Sequence, residues 1–377
     1  MSILAKRIRL VGGVEEAPPM SCLISIFDDI PDPRAGNARH RLADILVLAV
    51  ASALCGGETC VDFAQFARSK HTVMVQLLGA YDPPSHDTFS RVLRLLDPTA
   101  FQTVFARFAA AFAADLEGVV AIDGKALRRA YEAGLATSPP LMVTAWASGA
   151  RLALAAAMPG AGENEVEAAL AVVACLDLSG HVVSADALHC HKRMAAAVLE
   201  RGGDYALCLK GNQSKLLRQA RAHLAADEQA PWAETTEAAH GRPERRRARV
   251  VPATGLGRDV GFPGVAAVAE ITGQRGAAAP KRRLYLLSTL MSPERALTVV
   301  RAHWSIENNL HWMLDVIMGE DTLRSRRDHA PANLAIVNRW ALNIANRIDD
   351  PKTPIRRRFK RCAWEDDYLI RALAHMR

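Results

Sequence analysis

The chain has 377 residues, half of them hydrophobic, and a formal net charge of +7 at pH 7. This size and apolar fraction exclude a disordered tail and predict a folded protein of about two or three domains. The basic N-terminal stretch has no apolar segment behind it, which argues against a secretory signal or a lipid anchor. The longest apolar run, residues 42–55, contains Asp44 and is shorter than the roughly 18 residues of a membrane span. We therefore expect a cytoplasmic protein without membrane contact.

The seven cysteines include no Cys-x-x-Cys pair. An odd number of cysteines without that spacing argues against a disulfide framework and against a zinc ribbon. We expect the thiols to be reduced and mostly buried.

The N-terminal third of the chain predicts helices. Residues 1–37 are predicted to be irregular, because two prolines and the turn-rich stretch DDIPDPRAGN close them. Residues 38–116 predict an all-helical N-terminal domain of short helices separated by turn signals. The predicted helices are 39–54, 60–68, 73–78, 86–96 and one from Asp97-Pro98 to about residue 114. Such helices could form a helix-turn-helix that reads DNA ends, and a plain helical bundle gives the same pattern.

Short apolar runs then replace the helical periodicity. Three of them, VVAID, LMVTAWAS and RLALAAAM, are separated by turn signals and predict an antiparallel meander. A helix over 163–175, the strand HVVSAD, a helix over 192–201 and the strand DYALCLKG follow. This order over 117–227 predicts the first part of an α/β, RNase H-like mixed-sheet core, in which the first and fourth strands lie side by side. Asp123 and Asp186 end those two strands and would then meet.

The second half of the predicted core is interrupted. Residues 228–290 predict a β-rich insertion that contains the strands VAAVAEITG and RRLYLLST. Residues 291–348 return to the core with a long helix, whose start is indicated by a serine N-cap followed by proline. That helix carries Glu307 and is predicted to break near Gly319. A basic C-terminal segment, 349–377, follows.

Asp123, Asp186 and Glu307 indicate a metal site. Two acids on adjacent strands and one on a helix provide the oxygen ligands that Mg²⁺ or Mn²⁺ prefers. Two such ions about 3.5–4 Å apart can stabilise both the attacking and the leaving oxygen in phosphoryl transfer.

Two other metal sites are compatible with the residue pattern. His303, Glu307, His311 and Asp315 recur every four residues and would form one helical stripe. Helical carboxylate–histidine sites require matching motifs on other helices, and no such motif is visible. The residues 189–191, His-Cys-His, also resemble ligands, but adjacent residues rarely converge on one ion. We interpret both patterns as structural.

Basic residues gather in three clusters in the second half of the chain. One cluster fills HGRPERRRARV, the next follows Glu320-Asp321, and the last spans 352–361 with six basic residues and no acid. Arginine and lysine at this density can neutralise phosphates and give affinity for DNA without sequence readout. A solvated face is the alternative for any single cluster, whereas three clusters beside a carboxylate site favour nucleic acid.

Several motifs together resemble one family. They are DGK at 123–125, SADALHCHK at 184–192, DYALCLKGNQ at 204–213, HGRPERR at 240–246 and the long stretch RAHWSIENNLHWMLDVIMGEDTLRSRRDHAPANLAIVNRWALN. The chain resembles the ISAs-one family of bacterial insertion-sequence transposases, also called H-repeat-associated proteins. The likeness runs from FDDIPDPR to KRCAWEDDYLIRAL and covers nearly the whole sequence.

The resemblance implies a DDE transposase with Asp123, Asp186 and Glu307 as the metal-binding, catalytic triad. The two aspartates would hold and bridge two Mg²⁺ or Mn²⁺ ions, and Glu307 would ligate the second ion at the leaving oxygen. The implied partners are double-stranded DNA, as terminal inverted repeats and as target, and a second copy of the chain in a homodimer on that DNA. The implied compartment is the bacterial cytoplasm at the nucleoid.

Further residues receive supporting roles from the resemblance and from charge. His303, Asn308 and His311 are expected near the DNA or the metal. The expected DNA contacts are Lys125, Lys210, Arg242, Arg245, Arg246, Arg324 and Arg326. A related, larger group of transposases has a Tyr, Arg, Glu, Lys signature around the third acid. This chain has His303 and Leu314 at two of those positions, which leaves hairpin formation open.

Two other functions remain open at this stage. A metal-dependent nuclease with the same core would cut DNA without joining ends. A non-catalytic DNA-binding relic of a transposase would do neither, and the presence of all three acids argues against it.

Overall fold

The computed structural model describes residues 22–111, 118–130, 138–239 and 242–374. These residues form helices at the N-terminus, a mixed α/β centre and helices at the C-terminus. The α-helices are α1 (Cys22–Asp28), α2 (Leu42–Leu54), α3 (Cys60–Ser69), α4 (His71–Leu78), α5 (His86–Leu95), α6 (Pro98–Ala111), α7 (Glu165–Ala174), α8 (Lys192–Glu200), α9 (Ser214–Ala226), α10 (Pro293–Ile306), α11 (Trp312–Val316), α12 (Ala330–Arg347), α13 (Ile355–Trp364) and α14 (Asp366–Ala374). The strands are β1 (Val119–Ala126), β2 (Leu141–Ala147), β3 (Leu152–Ala157), β4 (Val182–Ala185), β5 (Asp204–Leu209), β6 (Ala233–Ala239), β7 (Arg242–Pro252), β8 (Ala267–Arg275) and β9 (Lys281–Leu287).

The predicted N-terminal helices are present as α2 to α6. Their starts follow local capping chemistry, since Thr59 and Asp62 form a capping box at α3 and Ser85 caps α5. The stretch predicted to be irregular contains α1. Residues 1–21 and 112–117, on which the remaining predictions for this region fall, lie outside the described residues.

One mixed sheet organises the rest of the described chain. Its strand order is β3-β2-β1-β4-β5-β9-β8-β7-β6. The first three strands form the predicted antiparallel meander. β1 and β4 are neighbours and run parallel, with Ile122 opposite Ala185, and β4 and β5 are also parallel. The prediction that the first and fourth strands lie side by side is confirmed.

The region predicted as a β-rich insertion extends this same sheet. VAAVAEITG and RRLYLLST contribute β8 and β9, as predicted, and β9 pairs antiparallel with β5 through Ala206 and Leu287. The arginine-rich segment forms β7, which had no strand assignment from the sequence. Residues 228–290 therefore add strands to one edge of the central sheet.

The alternation along β1 decides which side of the sheet each residue faces. Val120 and Ile122 pack in a core with α7 and α8. Val119 packs with α10, and Ala121 packs with α12 and the N-terminal helices. Asp123 has the same parity as Val119 and Ala121, so it faces the side on which α10 lies.

None of the described helices combines the length and apolarity that a membrane span requires. Six cysteines in the described ranges are free thiols, and three of them are buried. The sequence predicted that most of the thiols are buried, whereas half of these six are.

Candidate metal and DNA site

Asp123 and Asp186 follow the last paired residues of two adjacent parallel strands. Ile122 and Ala185 are register partners, so the next residue of each chain emerges at the same place. Asp123 Oδ1 accepts a hydrogen bond from the Gly124 N–H at 2.9 Å, and Asp186 Oδ1 accepts one from the Leu188 N–H at 2.8 Å. Both carboxylates are partly buried. The local backbone thus orients each acid.

Glu307 lies where the long helix changes its geometry. α10 ends at Ile306, residues Glu307–His311 form a single π-helical turn, and α11 continues from Trp312. Such turns inside α-helices frequently occur at functional sites. The wider turn brings His311 Nδ1 to 3.1 Å from Glu307 Oε2 and 4.0 Å from Asp123 Oδ2.

Asp123, Glu307 and His311 form a cluster that could hold a cation. Each residue offers one atom that could bind a metal ion, and these three atoms lie within 4.8 Å of one another. The His311 side chain is 8% exposed, and its Nε2 atom is buried without a hydrogen-bond partner among the described residues. This nitrogen could therefore bind a further group at the site. The two carboxylate oxygens suit a hard divalent cation such as Mg²⁺ or Mn²⁺, whereas an imidazole nitrogen is a ligand more typical of Zn²⁺ and other transition metals. Asp186 lies outside this group of three, beside Asp123 on the neighbouring strand.

The pKa of Asp123 reflects this crowding. Burial, as the largest cause, and the nearby carboxylates of Glu307, Asp186 and Glu165 together raise it from 3.8 to about 7, against the opposing Gly124 hydrogen bond. A bound cation would favour the charged form of the same carboxylate. The burial of Asp123 therefore disfavours the metal-free, ionised state.

This pKa predicts a pH-dependent effect of Asp123→Asn in EDTA. The pKa of Asp123 is about 7 in the folded state and about 4 in the unfolded state. As pH rises between these values, ionisation favours the unfolded state, and the unfolding free energy of wild type falls. The unfolding free energy of the variant minus that of wild type should therefore be larger at pH 8 than at pH 5. Urea denaturation at both pH values measures this, with exposed Asp82→Asn as the control. A difference that is the same at both pH values would contradict the prediction.

His303 positions the helix. Its Nδ1 lies 3.2 Å from the Ser184 carbonyl oxygen on β4, and burial lowers its pKa. Asn308, by contrast, is exposed on the π turn. Of the four residues in the predicted helical stripe, Glu307 and His311 lie close to Asp123. His303 contacts β4, and Asp315 pairs with Lys125. The cluster therefore combines a strand with a helix and is not an all-helical site.

Lys125 lies in a buried charge network. Its side chain is 6% exposed, and its Nζ lies 2.6 Å from Asp315, 3.0 Å from Asp321 and 3.4 Å from Glu320. Glu320 and Arg339 are fully buried and 3.0 Å apart. An ammonium with three carboxylates around it is poorly placed for a phosphate. The expected DNA contact of Lys125 is therefore not favoured by this geometry.

Arg339 connects the network to the strand beneath the site. Its Nε donates to Thr144 Oγ1 at 2.9 Å, and Thr144 is the register partner of Asp123 on β2. Lys125, two residues after Asp123, belongs to the same strand and network. The charged pairs thus join β1, α11 and α12 around the cluster. Sequence reasoning missed Glu320 and Arg339, although an arginine inside the largely apolar α12 was a detectable signal.

The other residues predicted to contact DNA differ in their surroundings. Lys210 and Arg324 are exposed, and exposed Arg326 donates from Nε to the Arg129 carbonyl oxygen at 3.0 Å. Arg245 makes a two-pronged pair with Glu234 at 2.6 Å. Arg246 is 13% exposed, pairs with Glu244 at 2.8 Å and lies 5.3 Å from the centre of the Trp304 ring. The Arg242 side chain and His240 of the HGRPERR motif lie outside the described residues.

The residues 189–191 do not form a metal cluster in the described part of the chain. His189 is fully buried, with Nε2 3.4 Å from Glu165 Oε1. Cys190 is buried, and His191 caps α8 by accepting from the Met194 N–H at 3.1 Å. The structural interpretation of this motif is consistent with these contacts.

Gly124 is required by close packing on the other side of β1. A Cβ atom at this position would lie 2.4 Å from Glu165 Oε1 and 2.8 Å from Leu141 Cδ2. We expect Gly124→Ala to lower the unfolding free energy by about 1 kcal/mol, because the ends of the Glu165 and Leu141 side chains must both move away from the new methyl group. Urea denaturation would measure the loss. Adding Glu165→Ala, which removes the nearer obstacle, should recover part of it, and equal stability of wild type and Gly124→Ala would contradict this account.

Comparison with known proteins places the chain in a family. Residues 91–344 match the family described as Transposase DDE domain, and residues 24–109 match the DDE_Tnp_1-associated family. The H repeat-associated putative transposase YhhI of Escherichia coli (strain K12) is 28% identical over 92% of this chain and 96% of its own length. The putative transposase YncI of Escherichia coli O157:H7 is 29% identical over 93% of this chain and 94% of its own.

Among solved structures, the chain is similar to a piggyBac transposase synaptic complex with hairpin DNA. The identity is 14%, the TM-score is 0.40, and the match covers 94% of this chain and 78% of that one. The sequence matches, and not this distant likeness, carry the assignment. Because the family match spans more than half of the chain, the resemblance to H-repeat-associated transposases is confirmed, and the protein belongs to the Transposase DDE domain family.

Proposed function

We propose that this protein binds the terminal inverted repeats of a bacterial insertion sequence, cleaves DNA there and joins the ends to target DNA. The observation that carries the proposal is the convergence of Asp123, Glu307 and His311, with Asp186 on the neighbouring strand, in a chain of the Transposase DDE domain family. The strand order β3-β2-β1-β4-β5 supports an RNase H-like core as the framework of this site.

The proposed roles follow from position. Asp123, Asp186 and Glu307 would hold divalent cations, Mg²⁺ or Mn²⁺. When bound, such ions polarise the phosphoryl oxygens and stabilise the attacking and leaving oxygens. His311 would orient Glu307 through their 3.1 Å contact, and His303 would hold α10 against β4. Lys210, Arg324 and Arg326 are exposed and would contact phosphates.

The proposed chemistry has two displacements at phosphorus. In the first, a water oxygen bonds to the phosphorus at the element end, the bond to the 3′ oxygen breaks, and that oxygen leaves as a 3′-hydroxyl. In the second, this hydroxyl oxygen bonds to a target phosphorus and displaces another 3′ oxygen. Both steps need an acidic cluster that binds metal beside a DNA path, and they need two ends held together, which favours a dimer on DNA.

The test uses purified protein and a plasmid that carries the repeats flanking the gene, with Mg²⁺ or EDTA. We expect Mg²⁺-dependent cuts at the repeat ends and covalently joined products when the 3′-ends are mapped. Cuts without joined products would instead establish a nuclease. DNA binding without cutting in Mg²⁺ or Mn²⁺ would establish a non-catalytic DNA-binding protein.

A further inference from the structure

The basic run 352–361 separates into two groups in the structure. Arg358 is used inside the fold, because its guanidinium donates to the carbonyl oxygens of Thr353 and Asp350 at 2.9 and 2.8 Å, among others. Arg361 pairs with Asp350 at 2.8 Å and with Glu365 at 2.7 Å. These two arginines stabilise the turn between α12 and α13.

The other group lies on the outer side of α13. Phe359 and Cys362 point inward and are buried, so the opposite side of the helix faces solvent. We define the α13 surface as the exposed residues Arg356, Arg357, Lys360 and Trp364. Among the described residues, no carboxylate lies within 4 Å of its three basic groups.

Trp364 makes this surface unusual. Its side chain is 65% exposed, although an indole has a large apolar area that favours burial. Arg356, Lys360 and Trp364 are spaced four residues apart and therefore form one stripe along the helix. The Lys360 ammonium lies 5.8 Å from the centre of the Trp364 ring. Cationic groups beside an exposed aromatic ring are a recurring arrangement on nucleic-acid-binding surfaces.

The arginines of β7 provide a contrast within the same chain. Arg245 pairs with Glu234, Arg246 with Glu244, and Arg249 with Glu270. Their charges are neutralised by glutamates of the same sheet, although the segment is rich in arginine. The charge on the α13 surface is not balanced in this way, so its field remains available to an anionic partner.

We propose that the α13 surface is a DNA-binding surface, at which Arg356, Arg357 and Lys360 contact backbone phosphates and Trp364 packs against a sugar or base. The proposal rests on the proposed function, since the partner is the DNA on which the site acts. It adds a contact region on the C-terminal helices, in residues that belong to neither the metal cluster nor its supporting network. Because phosphate contacts carry no base readout, the surface would hold DNA irrespective of sequence.

The test measures binding of full-length protein to a random-sequence duplex in EDTA, at several salt concentrations between 50 and 200 mM. Arg356→Gln/Lys360→Gln is compared with Arg218→Gln/Arg221→Gln, which removes two exposed charges from α9. The slope of log K against log salt is negative, and each lost phosphate contact reduces its magnitude by about 0.9. We expect the α13 variant to lose about 1.8 from the slope and the α9 control to keep the wild-type slope.

Two outcomes would overturn the proposal in distinguishable ways. Equal slopes for the α13 variant and wild type would show that the α13 surface does not contact DNA phosphates, and the proposed function would stand. Absence of salt-dependent DNA binding by wild type would count against the proposed function as well. Trp364→Ala supplies an independent measurement: it should weaken binding without changing the slope, and unchanged affinity would show that Trp364 does not contact the DNA.

Discussion

Asp123→Asn is expected to lower Mg²⁺-dependent DNA cleavage by at least about a thousandfold. Cation stabilisation of the charge on the phosphoryl group contributes several kcal/mol, and each 1.36 kcal/mol changes the rate about tenfold. Asn keeps the shape of the side chain, but it removes the charge that faces Glu307 and His311. DNA binding in EDTA should be unchanged, because the phosphate contacts lie elsewhere.

Single-turnover cleavage of a DNA end by the two proteins measures this effect. Asp82→Asn, an exposed acid before α5, is the matched control and should cleave at the wild-type rate. Cleavage by Asp123→Asn within a few fold of wild type would exclude this carboxylate from the metal site.

Arg339→Met is expected to lower the unfolding free energy by about 3–5 kcal/mol. Arg339 and Glu320 are both fully buried, and the arginine also donates to Thr144. Removing the guanidinium leaves the Glu320 carboxylate in the core with only Lys125, 3.4 Å away, as a charged partner. A buried carboxylate that has lost its nearer cationic partner destabilises the fold by more than the intact pair stabilises it.

A second variant separates this cause from loss of packing. Arg339→Met/Glu320→Gln removes both charges of the pair and should recover most of the lost stability in urea denaturation. A double variant as unstable as Arg339→Met would show that packing, and not the unpaired carboxylate, accounts for the loss.

Much of the central geometry could be predicted from the sequence. The apolar runs that end in Asp123 and Asp186 are short and β-branched, and chain order alone indicates that their strands are neighbours. The alternation of β1 also places Asp123 and Lys125 on one side. These features depend on local periodicity, which a single sequence contains.

Other features depend on contacts that periodicity does not encode. The π turn at Glu307–His311 inserts extra backbone into a helix that the four-residue spacing predicts to be regular. The arginines of β7 favour a DNA-binding segment when only the sequence is considered, whereas in the sheet Arg245 and Arg249 pair with glutamates on β6 and β8. Lys125 predicts a phosphate contact from the sequence, whereas in the fold it lies among three carboxylates that are more than 180 residues away in the chain. The last two are pairings of charge between different elements of the fold.

We propose that three acids, from β1, the end of β4 and the π turn, hold one metal site. Equilibrium binding of Mn²⁺, followed by electron paramagnetic resonance, tests it directly on wild type, Asp123→Asn, Asp186→Asn and Glu307→Gln. We expect each variant to bind Mn²⁺ at least about tenfold more weakly than wild type while remaining folded. Wild-type Mn²⁺ affinity in any one of the three variants would contradict it.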